Sequence, residues 1–179
     1  LAVVGFGGYP SFPTMVAAMI TRQQTIIHEQ NSVLGRVNRL LARRATRIAT
    51  TYEHTRMMPE AARRRVVLTG NPVRAAVCAI AQVDYPQLAE GGMLRVLVIG
   101  GSQGASVFSE VVPEACARLP EDVRARIRLD QQCRELEISL VRTKYQAIGM
   151  QVDLAPFFVD VAARLASAHL VICRAGAST

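Results

Sequence analysis

Apolar and polar positions along this chain alternate between two periods. Short apolar runs predict strands near residues 1–4, 25–28, 47–50, 65–68, 95–99, 127–129, 151–154 and 169–172. Segments with helical spacing lie between them, near residues 13–20, 35–44, 105–118, 135–148 and 159–167. This alternation predicts an α/β chain in which helices cover both faces of doubly wound parallel sheets. Residues 75–93 show no clear period, and we expect them to connect two domains.

The segment from Val96 to Ser106 carries the most specific local signal. An apolar strand leads into Gly100-Gly101-Ser102-Gln103-Gly104, and a helical pattern follows at once. A glycine turn at a helix start leaves backbone N–H groups free at the positive end of the helix dipole, which suits the diphosphate of a nucleotide. The alternative is a tight strand-to-helix turn without a ligand, and the segment alone leaves both open. The glycine spacing matches neither the dinucleotide fingerprint nor the P-loop, since no lysine follows.

Polar or glycine-rich loops follow several of the predicted strands. They lie at residues 5–9, 29–31, 100–104 and 174–179. Ligands of parallel α/β sheets bind at the carboxyl ends of the strands. Four such loops over two domains therefore predict a nucleotide-type site in a cleft between the domains.

Composition narrows the possible partners. The 179 residues are 50% hydrophobic and carry a formal charge of +7, and a basic surface suits anionic lipid or phosphorylated substrates. We expect no nucleic-acid partner, because aromatic residues are sparse and do not alternate with the arginines. The four cysteines and three histidines show no metal-ligand spacing, so we expect no metal site. Leu1 and Thr179 both fall within predicted elements, and we expect the chain to be an internal fragment.

Several motifs together resemble one family. They are Gly5-Phe6-Gly7-Gly8-Tyr9-Pro10, His28-Glu29-Gln30-Asn31, Gly70-Asn71-Pro72-Val73-Arg74, Gly100-Gly101-Ser102-Gln103-Gly104-Ala105 and Cys173-Arg174-Ala175-Gly176-Ala177-Ser178-Thr179. In this order they are similar to the MurG family of peptidoglycan N-acetylglucosaminyltransferases. The resemblance implies GT-B architecture, with two incomplete Rossmann-like domains. Residues 1–74 would belong to the acceptor domain, 75–93 to the connection and 94–179 to the UDP-sugar domain.

The resemblance also implies an activity. N-acetylglucosamine would pass from UDP-N-acetylglucosamine, with inversion, to undecaprenyl-diphospho-muramoylpentapeptide (lipid I), giving lipid II and UDP in cell-wall biosynthesis. Such enzymes are peripheral proteins of the cytoplasmic membrane face, and they use no cofactor and no metal for the diphosphate. The family's catalytic loop is absent from this chain. We therefore assign no catalytic base and expect the fragment alone to be inactive.

The same resemblance implies substrate contacts for individual residues. The donor would contact Asn31, Arg74, Ser102, the backbone of Phe158, and the loop formed by Ala175, Gly176, Ala177, Ser178 and Thr179. Gly101, Gln103 and Gly104 would complete the diphosphate loop, and Gly7, Gly8 and Tyr9 would face the acceptor diphosphate.

Each of these roles has a structural alternative. Arg74 could pair with a carboxylate, Asn31 could cap the next turn, and Phe158 could be a core residue. Ser178 could be a helix N-cap only, and His28 and Glu29 could orient one another.

The sequence departs from the family pattern at one place. Asp130-Gln131-Gln132-Cys133 stands where the family has His-Gln, a small residue and Gly, which leaves the form of that turn open.

Two other functions are possible from the sequence. A non-catalytic nucleotide- or anion-binding module would explain the glycine loop alone. Another GT-B enzyme, such as a sugar-nucleotide epimerase, would share the diphosphate loop but not the segments at 5–13 and 28–31.

Overall fold

The computed structural model describes residues 1–101 and 106–174. The described chain forms two compact units, residues 1–72 and residues 73–174. Each unit is built around one four-stranded sheet in which all strands are parallel. The predicted fold class is therefore confirmed.

The first unit has the strand order β1-β2-β3-β4. Its elements are β1 (Ala2–Gly5), α1 (Gly8–Ile20), β2 (Gln24–Glu29), α2 (Arg36–Leu41), β3 (Arg47–Thr50), a 3₁₀ turn (Glu60–Arg65) and β4 (Val66–Leu68). One buried cluster joins the sheet to the two α-helices, with Ile27 and Ile48 from strands, Met15 from α1 and Leu41 from α2. This core sets the carboxyl ends of β1 and β2 beside the start of α2.

The start of α1 differs from the expectation. We expected a loop over residues 5–9 and a helix from Pro13, but Gly5 ends β1 and the helix begins at Gly8. Pro10 is tolerated because the N–H groups of a first helical turn have no partner within the helix. Pro13 lies inside the helix, where it forgoes one backbone hydrogen bond. Two of the three residues assigned to the acceptor loop therefore belong to the first turn of a helix.

The second unit has the strand order β7-β6-β5-β8. Its elements are α3 (Ala75–Ala79), a 3₁₀ turn (Ile80–Gln82), β5 (Leu94–Ile99), α4 (Ser106–Ala117), α5 (Glu121–Arg124), β6 (Ile127–Gln132), a 3₁₀ turn (Glu135–Glu137), α6 (Ile138–Ala147), β7 (Val152–Ala155), α7 (Val161–Ser167) and β8 (Leu170–Cys173). Helices α4 and α6 pack on one face through Val112 and Val141, and α7 covers Leu97 on the other. This unit is doubly wound.

Strand β6 is longer than expected. We predicted its end at residue 129, but it continues to Gln132. The departure at Asp130–Gln132 therefore lies in a strand rather than in a turn. Leu129 and Gln131 face one side of the sheet and Gln132 the other, because side chains alternate along a strand.

The segment expected to connect two domains is partly helical. It contains α3, and the hydroxyl of Tyr85 donates to the carbonyl of His169 at 2.7 Å, which ties it to the second unit. The proposed domain limits at residues 74 and 94 stay a prediction.

Candidate functional site

A buried carboxylate organises the end of β2. Glu29 is 2% exposed, and its two oxygens accept four hydrogen bonds. Oε1 accepts from the backbone N–H and the side-chain amide of Asn31, at 3.1 and 2.9 Å. Oε2 accepts from the N–H of Gly35 at 2.8 Å and from the amide of Asn38 at 2.9 Å. This network fixes the loop between β2 and α2.

The same hydrogen bonds keep Glu29 charged. Burial alone would raise the pKa of this carboxyl, but the bonds from Gly35, Asn38 and Asn31 outweigh it and hold the pKa below its ordinary value. A carboxylate has about four acceptor positions, and all of them are occupied here. Glu29 is therefore a poor proton acceptor and an effective anchor for the loop that carries Asn31.

The side chain of His28 contacts residues outside the Glu29 network. Its Nε2 lies 2.9 Å from the carbonyl oxygen of Gly70, and its ring is tilted against Phe6 with 5.4 Å between centroids. No hydrogen bond joins it to Glu29, since neighbouring strand residues point to opposite faces. The next motif residue, Asn71, accepts at Oδ1 from the hydroxyl of Thr51 at 2.7 Å. The motifs at 28–31 and 70–71 thus meet at one end of the first sheet.

The glycines assigned to the acceptor loop adopt backbone conformations that favour glycine. Gly7 has a φ of 82° and Gly8 a φ of 72°. A Cβ on Gly7 would lie 3.0 Å from the amide nitrogen of Asn38. Tyr9 is 85% exposed. Asn38, which donates to Glu29, therefore lies next to Gly7, so the structure brings this turn and the Asn31 loop close together.

The glycine turn of the second unit is attached to β6. Gly101 has a φ of 87° and is exposed, whereas Gly100 is buried. The side chain of Gln132 accepts from the Gly100 N–H at 3.2 Å and donates to the Gly101 carbonyl at 2.8 Å. It also donates to the carbonyl of Pro156 at 3.0 Å. Sequence analysis missed this role, although a polar Gln131-Gln132 pair at the end of an apolar strand was the available signal.

Phe158 is a core residue by its side chain. It is 4% exposed, packs with Leu97 and Ala168, and carries the Arg164 guanidinium 4.0 Å from its ring centroid. Arg164 stacks on the ring of Phe158 and pairs with Asp160, and these two contacts hold the loop after β7 in place. This position is compatible with the backbone contact implied for Phe158, which stays a prediction.

The start of α4 has a carboxylate partner. Glu137 accepts from the hydroxyls of Ser106 at 2.6 Å and Ser109 at 2.7 Å, and these bonds lower its pKa. Arg74 is exposed at the N-cap of α3, and it forms no ion pair with any residue in the described ranges.

Several assigned residues lie outside the described ranges: Ser102, Gln103, Gly104, Ala175, Gly176, Ala177, Ser178 and Thr179.

The described residues contain neither a metal-binding cluster nor a membrane-spanning helix. No group of histidine, cysteine and acidic side chains within residues 1–101 and 106–174 is placed to hold a metal ion. No helix in the same ranges is both long and apolar enough to cross a bilayer.

Comparison with known proteins assigns the class. Two parallel-sheet units with glycine turns after β1 and β5 define an α/β chain of GT-B type. Residues 1–50 match the family model of the glycosyltransferase family 28 N-terminal domain. Residues 95–179 match the family model of the glycosyltransferase family 28 C-terminal domain. The chain belongs to glycosyltransferase family 28.

Individual relatives confirm the resemblance found in the motifs. The UDP-N-acetylglucosamine--N-acetylmuramyl-(pentapeptide) pyrophosphoryl-undecaprenol N-acetylglucosamine transferase of Methylorubrum populi is 52% identical over 99% of this chain and 48% of its own length. The transferase of the same name from Rhodospirillum centenum is 54% identical over 99% of this chain and 47% of its own length. The chain thus spans about half the length of these relatives.

Solved structures support the same assignment. The crystal structure of Acinetobacter baumannii MurG is 30% identical, with a TM-score of 0.70 over 98% of this chain and 47% of its own. A structure of S. aureus MnaA with UDP has a TM-score of 0.60 over 98% of this chain and 53% of its own, and at 16% identity it shows the fold alone.

Proposed function

We propose that the protein carrying this chain transfers N-acetylglucosamine from UDP-N-acetylglucosamine to the muramoyl sugar of lipid I, with inversion, giving lipid II and UDP. The observation that carries the proposal is the identity of 52–54% with transferases of that name over 99% of the chain. The buried Glu29 and Gln132 networks support it, because each fixes a loop that the resemblance assigns to substrate.

The donor side would depend on backbone dipoles. An inverting transfer must stabilise the diphosphate of the departing UDP. The turn at Gly100–Gly104 and the start of α4 would supply N–H groups and a positive helix end for it, with Ser102 and Arg74 as side-chain contacts. Phe158 would meet the uracil through its backbone. The loop of residues 175–179 would line the sugar.

The acceptor side would lie in the first unit. The positive φ of Gly7 and Gly8 lets backbone approach a phosphate closely, which suits the diphosphate of lipid I. Asn31 would contact the transferred sugar. Because the acceptor positions of Glu29 are filled by protein donors, we do not assign it as the base.

A membrane surface is the second part of the proposal. The exposed apolar residues Ile20 and Leu40 lie beside the exposed arginines Arg43 and Arg44 along one hollow between α1 and α2. Apolar side chains ringed by arginine suit an anionic lipid surface. We propose that this face meets the cytoplasmic side of the membrane.

Radiolabelled substrate tests the activity. The full-length protein, UDP-[¹⁴C]N-acetylglucosamine and lipid I should yield labelled lipid II and UDP, whereas the present chain alone should yield none. UDP binding without transfer would favour the non-catalytic module. Conversion of UDP-N-acetylglucosamine to its 2-epimer without lipid I would favour an epimerase.

Vesicle cosedimentation tests the membrane face. The full-length protein should bind phosphatidylglycerol vesicles more strongly than phosphatidylcholine vesicles, and Arg43→Gln with Arg44→Gln should reduce that binding. Arg63→Gln with Arg64→Gln is the matched control, because it also removes two exposed positive charges and neither residue lines this hollow. Equal binding by the double variant and the control would contradict the proposal.

A further inference from the structure

Two neighbouring glutamines are buried at the end of β6. Gln131 is 0% and Gln132 is 3% exposed. Buried amides are costly unless their hydrogen bonds are satisfied, so the partners of each show what it stabilises. The two side chains point to opposite faces of the sheet and have different partners.

Gln131 stabilises the helical layer. Its Nε2 donates to the carbonyl of Phe108 in α4 at 3.1 Å, and its Oε1 accepts from the hydroxyl of Tyr145 in α6 at 2.5 Å. Burial raises the pKa of Tyr145, so this hydroxyl stays a donor. None of these groups belongs to a loop that the resemblance assigns to substrate.

Gln132 joins two loops that the resemblance does assign to the donor. Three of the four hydrogen-bonding positions of its amide are used, two by loop carbonyls and one by a loop N–H. The partners Gly100 and Gly101 form the turn after β5, and Pro156 lies two residues before Phe158. A single side chain thus sets the distance between the segment proposed for the diphosphate and the segment proposed for the uracil.

The direction of the Gly101 carbonyl is the important consequence. A carbonyl oxygen aimed at a phosphate would repel it, and Gln132 holds this one against its own Nε2 instead. This bond holds the Gly101 carbonyl in one direction and so limits rotation about the Cα–C bond of Gly101. Gly101, with its positive φ and no atom of residues 1–101 and 106–174 within 4 Å of an added Cβ, has the freedom to turn without this bond.

We propose that Gln132 is a positioning residue for UDP, holding the Gly100 N–H, the Gly101 carbonyl and the loop after β7 in the arrangement that binds the nucleotide. This inference rests on the proposed function and deepens its donor site. Gln132 acts through the two loops and not by touching the substrate.

The experiment compares Gln132→Met and Gln132→Glu with Gln131→Met in the full-length protein. Methionine removes all three hydrogen bonds at similar size, and glutamate keeps the acceptor for Gly100 but turns an oxygen toward two carbonyls. The dissociation constant for UDP, the KM for lipid I and the melting temperature are measured for each. Gln131→Met is matched in burial and strand position.

Both Gln132 variants should bind UDP at least about tenfold more weakly, the change expected from one lost hydrogen bond or more. The KM for lipid I should stay within about twofold. Gln131→Met should lower the melting temperature while its UDP affinity stays within about twofold. Equal UDP affinity in the wild type and both Gln132 variants, or an equal loss in Gln131→Met, would overturn the positioning role.

Hydrogen exchange keeps the proposal testable if the variants do not fold. In the wild type, UDP should protect peptides covering residues 98–101 and 130–134 together, and leave the part of α6 around Tyr145 unchanged. Protection at neither segment would refute the proposal. If the wild type binds no UDP and transfers no sugar, the proposed function fails first, whereas normal binding with unaffected Gln132 variants removes only the positioning role.

Discussion

The exchange of Glu29 for glutamine isolates the carboxylate that anchors the loop after β2. Glu29→Gln keeps size and shape but replaces one oxygen by an NH₂ group. Oε1 receives two N–H groups from Asn31, and Oε2 receives one each from Gly35 and Asn38. Whichever oxygen is replaced, two donors then face a donor and two hydrogen bonds are lost.

The magnitude follows from those two bonds. A hydrogen bond to a charged group contributes about 1.5–3 kcal/mol, and the lower value allows for the removed cost of burying a charge. Two lost bonds then destabilise the loop by about 3 kcal/mol. That free energy corresponds to about a 150-fold change in an equilibrium constant.

Hydrogen exchange of the full-length protein measures this locally. Amides in the peptide covering residues 30–38 should exchange about 100-fold faster in Glu29→Gln, because their opening free energy falls. Glu137→Gln is the control, since Glu137 accepts two hydrogen bonds and both come from hydroxyls, those of Ser106 and Ser109. Hydroxyls can rotate to accept from an NH₂ group, so exchange near α4 should change by less than about tenfold.

The sign of the pH dependence gives a second check. The folded-state pKa of Glu29 is lowered, so its stabilisation is fully present above the ordinary carboxyl pKa and is lost as the pH falls through the folded value. The protection difference between wild type and Glu29→Gln should therefore be constant near neutral pH and shrink in acid. Equal exchange in the two proteins at neutral pH would refute the anchoring role.

Three further substitutions test packing and charge elsewhere. Gly5→Ala adds a Cβ that would lie 2.7 Å from Cγ of the buried Met15, so thermal unfolding should show a loss of about 1–3 kcal/mol, and an unchanged melting temperature would contradict the close approach. Tyr145→Phe leaves Oε1 of Gln131 unpaired and should cost about 1–2 kcal/mol in urea unfolding, whereas equal stability would mean that this bond contributes nothing. Arg164→Met removes three ion pairs made by a side chain that is 21% exposed, so the free energy of unfolding should fall by only about 1 kcal/mol. This loss should shrink in about 1 M NaCl, and a loss that does not depend on salt would argue against an electrostatic origin.

Local sequence patterns determined the architecture of this chain. Each predicted strand is present within a few residues, and the fold class and family are confirmed. The reason is that the buried part of a parallel strand must be apolar, as residues 96–99 are in β5, and this requirement is readable without knowing the neighbouring strands. Element ends were less well predicted, as the start of α1 at Gly8 shows, because a helix can begin before an internal proline.

Tertiary structure decided which polar residues hold the candidate site together. The partners of Glu29 lie two to nine residues away, yet only the return of the chain into α2 directs their N–H groups at one carboxylate. The partners of Gln132 lie 24 to 32 residues away, on two other strand ends. Hydrophobic periodicity reports which side of an element is buried, but a hydrogen bond requires two groups within about 3 Å in a fixed direction. That condition is met only once the sheets have formed.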